Sequence, residues 1–430
     1  MKPNLKINLK TEAIAGITTF FTMAYIVIVN PQIISADGKT GMAFTGVLTA
    51  TVLICFSMTL LMGLYAKLPF AVAPGMGINA FFTYTIILGK GVPWPVALGI
   101  IFWAGVFFLL ISVTPIRESI AKAIPTELRI AAAAGIGIFL TFIGLKNAGF
   151  IVADPVTFVK IGALGKPALL TILGVAISIF LMSRRNPFAF LATIVVVTIV
   201  AWALGLVGVP PRVLALPDFK SVFFKLDVLG ALKLSLLPSI IAILFTDLFD
   251  SISTFIGVAH AGDLLDEQGH PRNLRQGLIV DSLATMGAGV AGTSSGTAYI
   301  ESVAGIQMGG RTGLTSVFTA LCFLPCFFIA PLAGMVPPYA TAAVLVLVGA
   351  TMFRSVGQIK FSRIEEGVPA FLTLILIPLT FSITQGILWG FISHVGLYLM
   401  VGRRRDIHPV MYALALVSIG LLVLERVKFG

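Results

Sequence analysis

The feature that most constrains this chain is a succession of apolar segments, each long enough to cross a membrane, joined by short polar loops. A membrane-spanning helix needs about 20 predominantly apolar residues. Charged residues make up 11% of the chain, far below the roughly 25% that is typical of soluble domains. The pattern excludes a set of soluble domains and predicts a single all-α integral membrane unit.

Length and hydropathy place about fourteen candidate spans along the chain. They lie near residues 13–34, 43–65, 69–88, 94–114, 129–150, 167–183, 187–208, 235–259, 275–292, 294–308, 313–335, 340–353, 368–384 and 386–402. A C-terminal apolar segment at 409–430 is left open as an interfacial helix or a short extra span. Lys and Arg are about twice as frequent in the loops on the N-terminal side, which predicts a multi-pass protein of the cytoplasmic membrane with its N-terminus in the cytoplasm.

The formal net charge of +11 is scattered over short loops between apolar runs. That distribution favours a lipid bilayer over a nucleic acid as the partner. The three cysteines, Cys55, Cys322 and Cys326, lie in apolar runs and form no cluster with metal-ligand spacing. We therefore expect no disulfide, no metal and no cofactor.

Two of the spans are poor helices. Span 3 contains "PFAVAPGMGINAFF" and span 10 begins in "GAGVAGTSSGTAYIES". Non-helical backbone is tolerated at membrane depth only where it lines a cavity or is buried in protein, and matched interruptions in two halves indicate a transporter binding site. The two spans are seven apart, an odd number, so the two seven-span repeats are predicted to be inverted in the membrane.

Acidic residues inside the spans mark candidate functional positions. Asp247 and Asp250 lie in span 8, within "LFTDLFDSIS", and Glu301 follows the interruption in span 10. An ionised carboxylate at the bilayer centre costs at least a few kcal/mol, so such residues are usually functional. A spacing of three on a helix predicts that Asp247 and Asp250 share one face and titrate as a coupled pair. Asn79, in the interruption of span 3, offers both a donor and an acceptor.

Six segments of the chain are distinctive as motifs: "NPQIIS" (30–35), "APGMGINAFFTY" (73–84), "IGLKNAG" (143–149), "DLFDSISTFIGVA" (247–259), "GTSSGTAYIESVAGIQMGGRTGLTSV" (292–317) and "LTFSITQGILWGF" (379–391). Together they resemble the adenine/guanine/hypoxanthine permease branch of the xanthine/uracil permease superfamily, and the resemblance runs from about residue 4 to residue 409.

The resemblance implies a proton-coupled symporter of purine nucleobases, without enzymatic activity. Its fold would have two inverted seven-helix repeats arranged as a core domain, at about 13–114 and 235–335, and a gate domain, at about 119–208 and 340–402. Spans 3 and 10 would each carry a short strand, with the substrate between them. A homodimer is left open, as are the preference among purines and the proton stoichiometry.

The resemblance also implies roles for individual residues. The substrate-binding set comprises Asp247, Glu301, Asn79, Gly77, Gly75 and Thr297. The proton-coupling set comprises Asp250, Asp247 and Glu301, with Asp247 assigned mainly to binding and Asp250 to the proton. The uracil and xanthine branches commonly place a His one turn after the span 8 acid, where this chain has Ser251, so proton coupling cannot be copied from them.

Three alternatives stay open. A transporter of the same fold could carry xanthine or uracil, or an anion such as sulfate or bicarbonate, although three acids near the site oppose an anion. A membrane receptor without transport activity would need no interrupted spans. A serine hydrolase is suggested only by "GTSSG" (292–296), and that motif requires a strand-to-helix turn and a nearby His.

Overall fold

The computed structural model describes residues 8–114, 123–262, 264–265 and 271–426. The predicted start of the gate domain at 119 and the last residues of the C-terminal segment, 427–430, lie outside this part of the chain. Within the described ranges, eight helical stretches are long and apolar enough to cross a membrane, judged by length and composition.

The first half contains eight helices and three strands within the described residues. They are α1 (Leu9–Met23), α2 (Ile26–Ser35), α3 (Phe44–Leu61), β1 (Val72–Pro74), α4 (Met76–Ala80), α5 (Trp94–Val113), α6 (Thr126–Asn147), β2 (Ile151–Asp154), β3 (Phe158–Ile161), α7 (Lys166–Ser183) and α8 (Ala189–Ala203). Helix α4 continues as a π-helical segment, Phe81–Gly89. Span 3 is therefore a strand followed by a helix.

The second half begins with the longest of these helices. Its elements are α9 (Leu237–Ala261), α10 (Leu274–Ala291), β4 (Gly296–Ala298), α11 (Ser302–Gln307), α12 (Gly313–Phe323), α13 (Ala330–Gly334), α14 (Pro338–Phe353), α15 (Ile364–Thr380), α16 (Ile383–Met400) and α17 (Pro409–Arg426). Apart from β2, β3 and α17, the elements fall on the fourteen predicted spans, with span 1 divided between α1 and α2. The C-terminal segment forms α17, which packs against α16, α9 and the turn Leu234–Leu236.

Helix packing divides most of the chain into two bundles. The first bundle consists of α1–α5 and α9–α12, in which α10 packs on α5 and α3, and α12 packs on α1 and α3. The second bundle consists of α6–α8 and α14–α16, in which α6 packs on α14 and α15, and α7 packs on α14 and α8. Each bundle combines helices from both halves of the sequence.

The two interrupted spans meet in a buried antiparallel pair of strands, β1 and β4. The paired residues are Val72 with Ala298, Ala73 with Thr297, and Pro74 with Gly296. Small side chains let the two strands approach among the surrounding helices. Helix α10 is followed by Gly292, whose left-handed backbone (φ +95°) suits glycine and turns the chain into the segment that leads to β4.

The backbone around this strand pair finds partners although it lies away from water. The Gly75 amide donates to the Ser295 carbonyl (2.9 Å) and the Tyr299 amide to the Ala71 carbonyl (2.9 Å). The Thr59 hydroxyl accepts from the Val72 amide at 2.9 Å. These bonds meet the requirement that backbone polar groups be satisfied at membrane depth.

Candidate functional site

A cavity of about 330 Å³ lies between the two bundles, beside the β1–β4 pair. The first bundle and its connecting segments contribute Tyr25, Gly75, Met76, Gly77, Ile78, Thr246, Phe249, Asp250, Ser253, Thr254, Thr297, Ala298, Tyr299, Ile300 and Glu301. The second bundle contributes Arg129, Ala132, Ala133, Ile136, Met182, Phe190, Val348, Thr351 and Met352. The first wall carries both carboxylates of the cavity, whereas the second is mostly apolar.

Asp250 lies on the cavity wall, on α9. Its side chain is half-buried, and within the described residues its carboxylate accepts no hydrogen bond. Thr246, one turn earlier on the same helix, also lines the cavity, and its buried hydroxyl has no partner in the described part of the chain. Phe249 adds an aromatic surface beside them. This part of α9 therefore presents unsatisfied polar groups and a ring to the cavity.

Asp247 lies behind the wall rather than on it. It is fully buried, and its Oδ2 accepts from the hydroxyls of Ser295, at 2.6 Å, and of Thr285. Three residues of an α-helix turn the chain about 60° short of a full circle. Asp247 and Asp250 therefore stay within about 60° of one another around α9. Only Asp250 lines the cavity, whereas Asp247 supports the segment that leads into β4. That the two acids titrate as a coupled pair stays a prediction.

Glu301 lies on the cavity wall directly before α11. Its Oε1 accepts a hydrogen bond of 2.8 Å from the Tyr25 hydroxyl. Gly75, Gly77 and Thr297 line the same cavity. Five of the seven predicted site residues therefore border one space: Gly75, Gly77, Asp250, Thr297 and Glu301.

Asn79 lies outside the cavity wall, in a buried polar cluster that joins spans 1, 2, 3 and 10. Its Nδ2 donates to the Asn30 Oδ1 at 3.0 Å. Asn30 in turn donates to the hydroxyls of Thr51 and Thr293, both at 2.8 Å. In this arrangement Asn79 ties the helical part of span 3 to its neighbours.

Asp281 on α10 is a buried acid beside this site that the sequence-based predictions did not include. It is fully buried, and its Oδ2 accepts from the Ser251 hydroxyl at 2.7 Å and from the Ala298 amide at 3.0 Å. Asp281 thereby anchors β4 from the side opposite the cavity. Asp281 lies within the apolar segment "LIVDSLAT" (278–285). It therefore meets the same criterion as Asp247 and Asp250, an acid within an apolar span.

Part of the cavity wall is formed by residues near helix ends on the side of the protein where the chain begins. Four spans precede α6, so its first turns lie on the same side as the N-terminus. Wall residues near the helix ends on that side are Arg129, Met182, Phe190, Thr351 and Met352.

The two bundles are in contact on the opposite side. There the Thr85 hydroxyl of the first bundle donates to the Phe381 carbonyl at the end of α15. The Phe381 ring packs on Phe139 and Phe142 of α6, with centroid distances of 5.3 and 5.1 Å.

Comparisons with known proteins assign the chain to a family. The profile of a permease family matches residues 10–388. The chain is 44% identical to the adenine permease AdeP of Escherichia coli (strain K12), over 95% of this chain and 92% of that protein. It is 38% identical to the guanine/hypoxanthine permease PbuG of Bacillus subtilis (strain 168), over 95% of each chain.

A solved structure shares the fold. The transmembrane domain of a cyanobacterial bicarbonate transporter, BicA, superposes with a TM-score of 0.66 at 18% identity, covering 90% of this chain and 98% of that domain. The likeness confirms the predicted helical membrane-transporter fold, and with the family match it identifies a multi-pass membrane protein. As the six sequence motifs predicted, the chain belongs to the xanthine/uracil permease family, and its relatives there include adenine and guanine/hypoxanthine permeases.

Proposed function

We propose that this protein takes up purine nucleobases across the cytoplasmic membrane, coupled to protons, with its N-terminus in the cytoplasm. The observation that carries the proposal is the cavity between the bundles, where Asp250 and Glu301 face an otherwise largely apolar space. The names of AdeP and PbuG, which describe an adenine and a guanine/hypoxanthine permease, support the substrate class.

The chemistry of a purine fits this wall. A neutral oxopurine presents ring N–H donors beside carbonyl acceptors on a flat ring. The carboxylates of Asp250 and Glu301 can accept the N–H bonds, and the unpartnered Thr246 hydroxyl can donate or accept. Phe249 offers a ring for stacking and is itself stacked on Phe245, with centroids 5.6 Å apart.

Proton coupling is supported by a thermodynamic argument together with the groups in the cavity. A neutral substrate accumulates against its gradient only if another species moves down its own. Asp250 and Glu301 are titratable groups on the wall that the substrate would contact, so protonation and substrate binding there are linked. The first and second bundles would act as core and gate, moving relative to one another between faces of the membrane. A homodimer stays a prediction.

The test is uptake of radiolabelled hypoxanthine into proteoliposomes with an imposed inward-acid gradient. We expect accumulation that a protonophore abolishes and that adenine and guanine, but not uracil or sulfate, inhibit. Accumulation without a gradient would contradict proton coupling. Sulfate or bicarbonate uptake in place of hypoxanthine uptake would make the protein an anion carrier, a function that the two cavity acids oppose.

A further inference from the structure

Tyr25 stands where span 1 is interrupted, between the end of α1 at Met23 and the start of α2 at Ile26. Pro31 inside α2 has no amide proton for the Val27 carbonyl, and a proline in a helix interior distorts the turn before it. The amides of Val27 and Ile28 bond three residues back instead of four, to the carbonyls of Ala24 and Tyr25. The interruption leaves Tyr25 on the cavity wall.

The Tyr25 side chain makes two contacts, one through its hydroxyl and one through its ring. Its hydroxyl donates to the Glu301 Oε1 at 2.8 Å. Its ring packs edge-to-face on Phe190 of α8, with centroids 5.1 Å apart and an interplanar angle of 75°. Tyr25 and Glu301 belong to the first bundle, whereas Phe190 belongs to the second. The buried Tyr25 side chain therefore contacts both Glu301 on the cavity wall and the second bundle.

We propose that Tyr25 is a positioning residue, which holds Glu301 toward the substrate and links the state of Glu301 to the contact between the bundles. The proposal rests on the proposed function and names a residue that determines how tightly its site binds. A glutamate has three rotatable side-chain bonds, and a hydrogen bond to one oxygen selects one orientation for the other.

The contact with Phe190 supplies the link to conformational change. A ligand shifts a conformational equilibrium only if its interactions differ between the two states. When the bundles move, Tyr25 keeps its bond to Glu301, which is part of the same bundle, but the packing of its ring on Phe190 changes. A change at Glu301 that moves Tyr25 therefore alters the packing of the Tyr25 ring on Phe190, at the interface between the bundles.

The first experiment separates the two contacts. Tyr25→Phe removes the hydroxyl and keeps the ring, so we expect about tenfold weaker hypoxanthine binding and a shifted pH profile of binding. Phe190→Leu removes the ring contact and keeps Glu301 in place, so it should change the maximal uptake rate more than the affinity. Tyr398→Phe is the matched control, because it removes a tyrosine-to-glutamate contact (to Glu366, 3.5 Å) away from the cavity.

The second experiment needs no ligand. Melting temperatures of the purified Tyr25→Phe, Glu301→Ala and double variants form a double-mutant cycle. We expect that Tyr25→Phe destabilises the protein only when Glu301 is present. Additive effects, or wild-type affinity in Tyr25→Phe, would overturn the positioning role, and unchanged uptake kinetics in Phe190→Leu would overturn the link to the second bundle. If the unmodified protein does not bind hypoxanthine at all, the proposed function fails, while the cycle still decides whether Tyr25 holds Glu301.

Discussion

The described part of the chain contains two small antiparallel sheets, which differ in burial and in how their strands are brought together. β1 and β4 come from opposite halves of the chain and are buried at every residue. β2 and β3 form a hairpin across residues 155–157 and point apolar side chains outward, with Phe158 83% exposed. The first pair lies beside the cavity between the bundles, and the second lies in the connection between α6 and α7.

The two sheets differ in whether they depend on packing between the two halves of the chain. The β1–β4 pair can exist only when both halves have packed, since its strands are short and its partners lie on α3, α9 and α10. The hairpin is held by local bonds, in which the Asp154 Oδ1 accepts from the amides of Val156 and Thr157. Changes near the first sheet should therefore affect binding and transport, and changes in the second should stay local.

The largest expected effect is at Gly77, which follows β1. A Cβ at this position would overlap the Ile136 side chain of the second bundle, so Gly77→Val should abolish uptake while the protein still reaches the membrane. Gly165→Val, near the hairpin, is the matched control, because the nearest atom to its Cβ would be 3.7 Å away. Restored uptake in Gly77→Val/Ile136→Ala would confirm the clash, whereas normal uptake in Gly77→Val alone would contradict it.

Asp247 should affect stability as well as binding. Two hydroxyls, from Ser295 and Thr285, donate to its Oδ2, and a buried hydrogen bond contributes about 0.5–1.5 kcal/mol. Asp247→Asn is expected to lose about 1–2 kcal/mol of stability and to lose hypoxanthine binding at every pH from 5 to 8. Thermal unfolding in detergent checks this. A stable Asp247→Asn that fails to bind would instead favour direct substrate contact, as the sequence motif implied.

Much of this arrangement could be predicted from the sequence, because the strongest signals are violations of the apolar pattern. Prolines and glycines within a span, and acids within a span, located the two interruptions together with Asp250 and Glu301. The pattern could not say which way each acid points. That depends on neighbours such as Ser295 and Thr285, which are distant in sequence from α9 and are ordinary residues in a membrane helix or loop.

Other parts of the site have no such signal. Tyr25 is one aromatic residue in an apolar run, and only the break between α1 and α2 brings it to the cavity. Asn79 was conspicuous as an amide in an interrupted span, yet its bond to Asn30 depends on the packing of span 1 on span 3. The β2–β3 hairpin was not predicted, although its strands lie close together in the sequence and pair locally.

Glu301 lies on the cavity wall close to the buried β1–β4 sheet, where we propose that its carboxylate contacts the purine. Glu301→Gln keeps the shape of the side chain and removes the charge, so we expect hypoxanthine affinity to fall ten- to hundredfold, the equivalent of about 1.5–3 kcal/mol. Membrane expression should be unchanged. Isothermal titration of the purified variant measures the effect, and wild-type affinity would place Glu301 outside the group of residues that contact the purine.

Asp250 should show a smaller loss of affinity and a clearer change in coupling. Asp250→Asn retains one acceptor on the cavity wall, so binding is expected to weaken by about tenfold or less. Uptake should lose its dependence on the proton gradient and its pH profile should shift. Paired pH profiles of binding and uptake decide this. If Asp250→Asn accumulates hypoxanthine normally from pH 5 to 8, the proton must be carried by another acid.

The smallest effect is expected in the exposed hairpin. Bonds from the Thr157 amide, the Lys160 ammonium (2.9 Å) and the Val156 amide hold the pKa of Asp154 at about 2, below its usual 3.8. A carboxyl whose folded pKa is lowered contributes stability that is present above its unfolded pKa and is lost as the pH falls through the folded one. Protection of the Val156 and Thr157 amides from hydrogen exchange, corrected for intrinsic rates, should therefore be complete above about pH 3.8 and disappear near pH 2.

Asp154→Ala should lose this protection at neutral pH and leave hypoxanthine uptake and the melting temperature unchanged. Lys160→Gln shows how much the ion pair contributes to the protection. A loss of uptake in Asp154→Ala would mean that the hairpin, like the buried sheet, is coupled to the transport site.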